Sequence, residues 1–102
     1  MPRALVVSFP ARADLDRIYD RVSRVNPLAA DRAIDVLTNG FGLVAQHPKL
    51  GRVFRKIGRR QLRLLPHHDY LIFYFETPPI VEIVRVIHGK QNVPDILEDL
   101  LD

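Results

Sequence analysis

One segment of the chain, residues 70–75, is apolar at consecutive positions and therefore limits how the whole chain can fold. It reads Tyr-Leu-Ile-Phe-Tyr-Phe. Aromatic and β-branched residues favour a strand, and a strand that is apolar at every position needs cover on both of its faces. Such a strand belongs in the middle of a sheet. The sequence therefore predicts a sheet built around residues 70–75.

Further strands are predicted before and after this central segment. Residues 60–65 alternate between two faces, and residues 80–88 are mostly apolar but contain Glu82 and Arg85. Turn residues separate the three segments at 66–69 and 77–79. Connections this short favour an antiparallel meander. Residues 49–59, which contain two glycines, are predicted to form a loop that leads into the first of these strands.

The N-terminal half of the chain has the pattern of a short strand followed by two helices. Residues 5–9 read as the strand, and Pro10 suits the first turn of a helix. Apolar residues at helical spacing then form one stripe, namely Leu15, Ile18, Tyr19, Val22 and Val25. A capping Asn26 and a first-turn Pro27 separate this helix from a second one over residues 27–46. Gly40 and Gly42 weaken its end and suggest a kink or a close approach by another chain.

These elements predict an α+β fold in which an antiparallel sheet packs against an N-terminal helical hairpin, in the order β-α-α-β-β-β. A short acidic helix over residues 93–102 is an option. The 102 residues suit one domain, 1–102, and 47% hydrophobic content argues against disorder. The absence of cysteine excludes disulfides and cysteine-bound zinc. No apolar run is long enough to cross a bilayer, so we expect a cytoplasmic protein without a membrane partner.

Positive charge is concentrated between residues 49 and 63, where the chain has seven cationic side chains and no acidic one. The remaining residues contain eight of the 15 basic side chains and all 12 acidic ones. A local block of this kind attracts phosphate backbones or an acidic partner, whereas charge that serves only solubility tends to be interspersed. A solvated hairpin without a partner is the alternative. The seven cations are Lys49, Arg52, Arg55, Lys56, Arg59, Arg60 and Arg63.

The order and spacing of several short motifs over residues 4–92 resemble the RelE/ParE superfamily of bacterial toxins. The motifs are Ala11-x-x-Asp14-Leu15-x-x-Ile18-Tyr19, Asn26-Pro27 with Ala29-Ala30, His47-Pro48-x-x-Gly51-Arg52, Tyr70-Leu71-Ile72-Phe73-Tyr74 and Ile83-Val84-Arg85-Val86-Ile87-His88-Gly89. The resemblance implies a compact sheet on a helical hairpin and a cognate antitoxin partner whose C-terminal segment wraps the toxin. Such segments are commonly acidic, which suits the basic run.

Two targets are compatible with the superfamily. RelE-like members cut messenger RNA on the ribosome, and ParE-like members poison DNA gyrase. RNA cleavage without a metal needs a base, an acid and cations around one phosphate. The candidates are His88, Arg85, Arg60 and Arg63, and Glu82 is a further candidate for the base. The nuclease branch typically places a Tyr after the last strand, whereas Gly89 and Lys90 follow His88 here. We therefore expect a ParE-like toxin that binds gyrase without cleaving bonds, with the ribonuclease, or a non-toxic nucleic-acid-binding module, as the alternatives.

Each candidate residue also has an ordinary structural explanation. Arg85 lies among apolar residues and is expected to pair with a ligand or with an acid such as Asp14 or Glu82. His88 suits a structural hydrogen bond at the end of the sheet. The predicted target contacts are Arg52, Arg59, Arg60, Arg63, Arg85, His88 and Lys90. The predicted antitoxin contacts, which otherwise belong to the core, are Leu15, Tyr19, Leu37 and Phe41.

No cofactor or metal site is expected. His67, His68 and Asp69 are adjacent, so their side chains point in different directions, and no spaced third ligand follows them. Ser8 lacks a His and acid arrangement, and the chain has no phosphate-binding glycine loop. Hydrolase and nucleotide-binding motifs are therefore both missing from the sequence.

Overall fold

Two helices pack on one face of a five-stranded sheet in the computed structural model, which describes residues 3–90. The elements are β1 (Ala4–Val7), α1 (Phe9–Ser23), α2 (Pro27–Gln46), β2 (Arg52–Ile57), β3 (Arg60–His67), β4 (Tyr70–Thr77) and β5 (Ile80–His88). The helix suggested for residues 93–102 lies outside the described part. No helix within residues 3–90 combines the length and the apolar character that a bilayer crossing requires.

The sheet has the strand order β1-β5-β4-β3-β2, so β4 is its middle strand. This confirms the prediction for residues 70–75 and the α+β class. The prediction of a purely antiparallel sheet is wrong, because β1 runs parallel to β5, with Ala4 opposite Ile80 and Val7 opposite Ile83. A short turn between two strands indicates that they run antiparallel. No such turn joins β1 to β5, so the sequence contains no signal for the direction of β1.

The loop predicted for residues 49–59 is also wrong, because residues 52–57 form β2 and pair with β3. Gly58 has a φ of 62° and, with Arg59, makes the turn between the two strands. The register of the pair shifts by one residue at Phe54. The strand was missed for two reasons. The shift interrupts the alternation of apolar and polar residues that identifies a strand, and β2 is an edge strand with exposed basic side chains.

The core is divided by the sheet into two apolar clusters. On β4, Tyr70, Ile72 and Tyr74 face the helices, and the alternate residues Phe73 and Phe75 face away from them. The helix-side cluster also contains Ala11, Ile18, Leu37, Phe41, Val44, Val81, Ile83 and Val86. The opposite cluster also contains Leu62, Leu64, Val84 and Ile87. Burial on both faces explains why the sequence of β4 shows no polar alternation.

Side-chain caps fix the starts of both helices. The Ser8 hydroxyl accepts a hydrogen bond from the Ala11 amide at the start of α1. The Asn26 side chain accepts from the amides of Leu28 and Ala29 at the start of α2. These bonds satisfy amides that have no partner inside the helix. The Asn26 cap and the 27–46 helix are confirmed, and the cap at Ser8 was not predicted.

One extra residue in β5 changes which side chains share a face. Phe73 lies opposite Arg85, but the next residue of β4, Tyr74, lies opposite Ile83, so Val84 has no partner of its own. If the side chains of β5 alternated strictly between the two faces of the sheet, as the sequence alone suggests, His88 would share a face with Val84 and Val86. In the structure Val84 belongs to the opposite cluster and Val86 to the helix-side cluster. The grouping fails because a bulge reverses the alternation, and nothing in the sequence marks it.

Candidate functional site

The carboxylate of Asp14 is the most heavily bonded polar group between α1 and β5. Arg85 donates from Nε to Oδ2 over 2.7 Å and from Nη2 to Oδ1 over 2.9 Å. The amide of Val86 donates to Oδ2 over 2.9 Å, and Arg17 pairs with Oδ1. Asp14 is 4% exposed. Asp14 is therefore the partner of Arg85, and it is one of the two acids that the sequence suggested. This pair holds α1 against β5.

The basic hairpin, defined as β2, β3 and the turn at 58–59, has its cations on a supported surface. The guanidinium of Arg60 lies 3.8 Å from the Phe75 ring centroid and 3.4 Å from Glu82. Arg52 lies 5.4 Å from the ring of Phe54. These contacts fix the direction of long side chains on a strand pair. The exposed cations of this surface, counting the preceding Lys49, are Lys49, Arg52, Arg55, Lys56, Arg59 and Arg60.

Arg63 differs from the other cations because it is half-buried and holds the segment that leads into β2. Its Nη1 donates to the carbonyl of Gly51 over 2.7 Å. The Gly51 amide donates to the Tyr74 hydroxyl over 2.9 Å, and this hydroxyl donates to the carbonyl of Pro48 over 2.7 Å. Burial raises the pKa of the Tyr74 phenol above 10.0. The start of the basic hairpin is therefore attached to the middle strand.

His88 and Lys90 lie at the other end of the sheet. The His88 Nδ1 accepts a hydrogen bond from the Lys90 amide over 3.2 Å, and its ring lies edge to face with Tyr70 at 5.7 Å. Five residues of β5 lie between His88 and Glu82, the partner of Arg60. These two residues are opposite Tyr70 and Phe75 of β4, which are five residues apart, or about 17 Å along a strand. Of the residues proposed for RNA cleavage, His88 and Arg60 thus lie at opposite ends of the sheet.

The residues predicted to contact an antitoxin are divided between core and surface. Leu37 and Phe41 are 0% and 2% exposed and belong to the helix-side cluster. Leu15 is half-buried, and Tyr19 is 40% exposed. The structure therefore places two of the four in the core, as the alternative explanation expected. A helical stripe wide enough to cover a sheet does not distinguish its central members from those at its margin.

Several exposed apolar side chains were missed by the sequence analysis. Val25 lies in the turn between the helices and Leu28 in the first turn of α2, and they are 89% and 67% exposed. Phe9 at the start of α1 is 83% exposed. Val25 is the last residue of the predicted stripe, and the helix ends at Ser23. An apolar residue just beyond a helix end was the available signal for the exposure of Val25.

An arginine-lined cleft between α1 and β5 was also missed. Arg17, Arg21 and Arg24 line it with Arg85, and its volume is about 430 Å³. Arg17 and Arg21 lie on α1 and Arg24 is its C-cap, and their spacing of i, i+4 and i+7 is that of one helix face. That face reads as an ordinary solvated surface in the sequence, because only the fold brings β5 alongside it.

The region around His67 does not form a metal site. The His67 Nε2 lies 3.0 Å from the carbonyl of Val36, to which it is hydrogen-bonded, and His68 occupies the turn with a φ of 56°. Across the described range, no three residues among His, Cys, Asp and Glu are placed to hold one metal ion.

Comparison with known proteins gives the family of this chain. The model of the ParE toxin of type II toxin–antitoxin systems, parDE, matches residues 5–93. Toxin RelE3 of Caulobacter vibrioides is 35% identical over 82 residues, which are 80% of this chain and 89% of RelE3. Toxin RelE2 of the same organism is 33% identical over 87 residues, which are 85% of this chain and 96% of RelE2. The chain belongs to the ParE toxin family of type II toxin–antitoxin systems, within the RelE/ParE superfamily.

Solved structures share the fold. One is a chain of the chromosomal ParDE system from P. aeruginosa, with a TM-score of 0.72 and 23% identity. The match covers 84% of this chain and 95% of that one. Another belongs to the toxin–antitoxin complex RelBE2 from Mycobacterium tuberculosis, with a TM-score of 0.59 and 20% identity over 86% of this chain and 99% of that one.

Proposed function

We propose that this toxin inhibits DNA gyrase by binding to it and does not cleave nucleic acid. The observation that carries the proposal is the distance of about 17 Å along the sheet between His88 and the Arg60–Glu82 pair. Acid–base cleavage of RNA needs its proton-transfer groups within hydrogen-bond reach of one phosphate. A toxin that acts by binding has no such requirement.

The engagement of Arg85 and Arg63 inside the fold supports the same proposal. Arg85 is bonded to the buried Asp14, and Arg63 is bonded to the carbonyl of Gly51. Moving either guanidinium to a substrate phosphate costs the bonds that position α1 or the start of β2. We therefore assign these two arginines to the support of the site and not to contact with the target.

The surface proposed for target contact is the exposed part of the basic hairpin. Arg52, Arg59 and Arg60 remain from the sequence prediction, and Lys49, Arg55 and Lys56 extend the same surface. The contacts of Arg52 and Arg60 with aromatic rings give the positive potential a defined shape. A fixed field of this kind favours an acidic target surface and raises the rate of association. His88 and Lys90 lie outside this surface and form a separate group.

A cognate antitoxin is the proposed natural partner. The fold matches chains of systems named for both components, ParDE and RelBE2. We propose that an amphipathic antitoxin segment lies along the helical hairpin, where Tyr19, Val25 and Leu28 are exposed and Leu15 lies half-buried beside them. An acidic continuation of that segment suits the basic hairpin. Leu37 and Phe41 are left out of this interface because they are buried in the core.

The function is tested by measuring gyrase and translation in parallel. The purified toxin is added to a gyrase supercoiling assay and, separately, to a cell-free translation reaction whose messenger RNA is mapped for cuts. Inhibited supercoiling with intact messenger RNA, abolished by adding the antitoxin, is the expected result. The variant His88→Ala is expected to inhibit gyrase within about twofold of the parent, because a binder needs no proton-transfer group there.

A ribosome-dependent ribonuclease is the second candidate, because two relatives at 33–35% identity are named RelE toxins. It requires His88 to act with Arg85, Arg60 and Arg63. Cuts at defined codon positions that disappear in His88→Ala would establish it and overturn the gyrase proposal. If neither supercoiling nor messenger RNA is affected, the chain is a basic interaction module that is no longer toxic.

A further inference from the structure

Arg60, the first residue of β3, has its guanidinium group in a fixed position on the sheet. Its Cζ lies 3.8 Å from the centroid of the Phe75 ring on β4, and its Nη1 lies 3.4 Å from Oε1 of Glu82 on β5. Phe75 is 4% exposed and belongs to the opposite cluster, so the ring itself is held by the core. The Arg60 side chain is nevertheless 49% exposed. The guanidinium is therefore oriented by the fold and accessible to a partner.

The other exposed cations on the two strands and the turn of the basic hairpin lack this combination. The guanidinium of Arg52 lies farther from its ring, at 5.4 Å from the Phe54 centroid. Within residues 3–90, three cations form neither an ion pair nor a cation–π contact, namely Arg55, Lys56 and Arg59. Fixing a long side chain of this kind on binding costs conformational entropy. Arg60 is therefore the cation best prepared for a contact of defined geometry.

The hydrogen-bond donors of Arg60 are only partly used. A guanidinium presents Nε and Nη2 side by side, and their two N–H groups match the two oxygens of a carboxylate. Arg85 uses this fork on Asp14, over 2.7 and 2.9 Å. Among the described residues, no acceptor is hydrogen-bonded to Nε or Nη2 of Arg60, whose single hydrogen bond joins Nη1 to Glu82. The fork of Arg60 is thus available to a carboxylate from another protein.

The pair of Arg60 with Glu82 contributes little to the stability of the fold. The two side chains are 49% and 29% exposed, and they meet through one contact of 3.4 Å. Exposed ion pairs of this kind contribute little or nothing measurable, because water screens the charges and long side chains lose freedom. The negative charge of Glu82 lies beside the unused fork, however, so it repels a further carboxylate that approaches Arg60. The pair therefore has more influence on binding than on folding.

We propose that Arg60 sets the lifetime of the complex with the target, by donating from Nε and Nη2 to a carboxylate of the target protein, and that Glu82 weakens this contact. The inference rests on the proposed function, because it names the contact that the basic hairpin makes with gyrase. A carboxylate is the group that the chain itself places against its guanidinium donors, in Asp14 with Arg85 and in Glu82 with Arg60. The remaining cations of the hairpin then raise the rate of association, and Arg60 lowers the rate of dissociation.

The two rates are measured by biolayer interferometry with the purified toxin and purified gyrase in the absence of DNA. Arg60→Lys keeps the charge and removes the planar fork. It is expected to raise the dissociation rate at least about fivefold and to leave the association rate within about twofold of the parent. The matched control Arg55→Lys makes the same change at an exposed position of β2 without an ion pair or a ring contact among the described residues. Both of its rates are expected to stay within about twofold of the parent.

The second variant, Glu82→Gln, separates a binding role of Arg60 from a structural one. The glutamine keeps an oxygen that accepts from Nη1 and removes the negative charge. It is expected to lower the dissociation rate at least about threefold, because the incoming carboxylate is no longer repelled. The control Asp16→Asn removes the same charge from an exposed position on α1 and should stay within about twofold of the parent. If Glu82 served only to hold Arg60 in place, the substitution would weaken binding.

The results that overturn the inference differ from the result that overturns the proposed function. If the parent binds gyrase and Arg60→Lys dissociates at the parent rate, the inference is wrong and the proposed function stands. Unchanged or faster dissociation of Glu82→Gln also overturns it. Binding that requires added DNA and is weakened in Arg60→Lys overturns the carboxylate and assigns the fork to a DNA phosphate. No binding of the parent to gyrase, with or without DNA, overturns the proposed function and this inference with it.

Discussion

Asp14 and Arg85 form a doubly hydrogen-bonded ion pair that joins α1 to β5 across 71 residues of sequence. The aspartate is 4% exposed, and the arginine side chain is 11% exposed. Water is therefore largely excluded from the pair. Removing one member of a buried ion pair is strongly destabilising, whereas replacing both by apolar residues is often nearly neutral.

We expect Asp14→Ala to lower the free energy of unfolding by about 3–5 kcal/mol, because Arg85 then loses two hydrogen bonds and the Val86 amide loses its acceptor. The double variant Asp14→Ala/Arg85→Met is expected to recover part of this loss. Urea unfolding followed by circular dichroism measures both. Asp16→Ala, an exposed position on the same helix, is the control and should change stability by less than about 0.5 kcal/mol. A similar loss in both aspartate variants would contradict the role given to the pair.

The two glycines near the end of α2 should respond oppositely to alanine. A Cβ at Gly40 would lie 2.7 Å from Cδ1 of Ile72 and 2.8 Å from Cδ2 of His67, whereas a Cβ at Gly42 meets nothing within 4 Å. Gly40→Ala is expected to destabilise by about 1–3 kcal/mol through overpacking. Gly42→Ala is expected to stabilise by up to about 1 kcal/mol through helix propensity. Thermal unfolding of the two variants side by side measures the difference, and equal signs would contradict this explanation.

Much of the fold could be predicted from local patterns in the sequence. The all-apolar segment at 70–75 gave the middle strand, and Asn26 with Pro27 gave the break between the helices. These features are encoded within a few residues. A kink or a close approach by another chain was expected at Gly40 and Gly42. At Gly40 the nearby side chains belong to β3 and β4 of the same chain, and a Cβ at Gly42 would meet nothing within 4 Å.

The features that the sequence missed depend on contacts between distant segments. The bulge at Val84 changes which residues of β5 share a face. The direction of β1 depends on its pairing with β5, which is distant in sequence: Ser8, the residue after β1, contacts Val84, 76 residues further along the chain. The arginine cleft exists only because α1 lies against β5. Periodicity within one element cannot report such relations, so these parts of the site follow only from the tertiary structure.

The Tyr74 hydroxyl is expected to contribute to stability through the segment before β2. Tyr74→Phe removes the acceptor for the Gly51 amide and the donor for the Pro48 carbonyl. Leaving a buried amide without a partner costs about 1–3 kcal/mol. Tyr19→Phe, at an exposed position, is the control and should be nearly neutral. Urea unfolding of the two variants measures the difference, and a neutral Tyr74→Phe would show that water replaces the lost bonds.

The same phenol should make stability fall in strongly alkaline solution. Burial raises the pKa of Tyr74 above the ordinary value of 10.0, so the unfolded chain releases this proton at lower pH than the folded chain. The contribution is complete below pH 10.0 and is lost as the pH rises through the folded-state pKa. Ultraviolet titration of the folded chain should show a late-ionising phenol that is missing from Tyr74→Phe. An unchanged late transition in that variant would assign the ionisation to another tyrosine.

The basic hairpin provides the sharpest test of how the toxin reaches its target. Arg55 and Lys56 are exposed neighbours on β2. Arg55→Gln/Lys56→Gln is expected to raise the concentration needed for half-maximal gyrase inhibition by about five- to tenfold, mainly through slower association. The control Arg12→Gln/Arg32→Gln changes net charge by the same amount at exposed helical positions. It should remain within about twofold of the parent.

Salt dependence separates a docking surface from a general effect of charge. If the hairpin cations contact the target, inhibition by the parent should weaken as salt rises from 50 to 200 mM by a factor of at least about three, and the Arg55→Gln/Lys56→Gln variant should show a shallower dependence. The Arg12→Gln/Arg32→Gln control should keep the steep dependence of the parent. Parallel curves for all three proteins would mean that net charge, and not the shape of the hairpin surface, governs the encounter. That outcome would remove the basic hairpin from the proposed interface with the target.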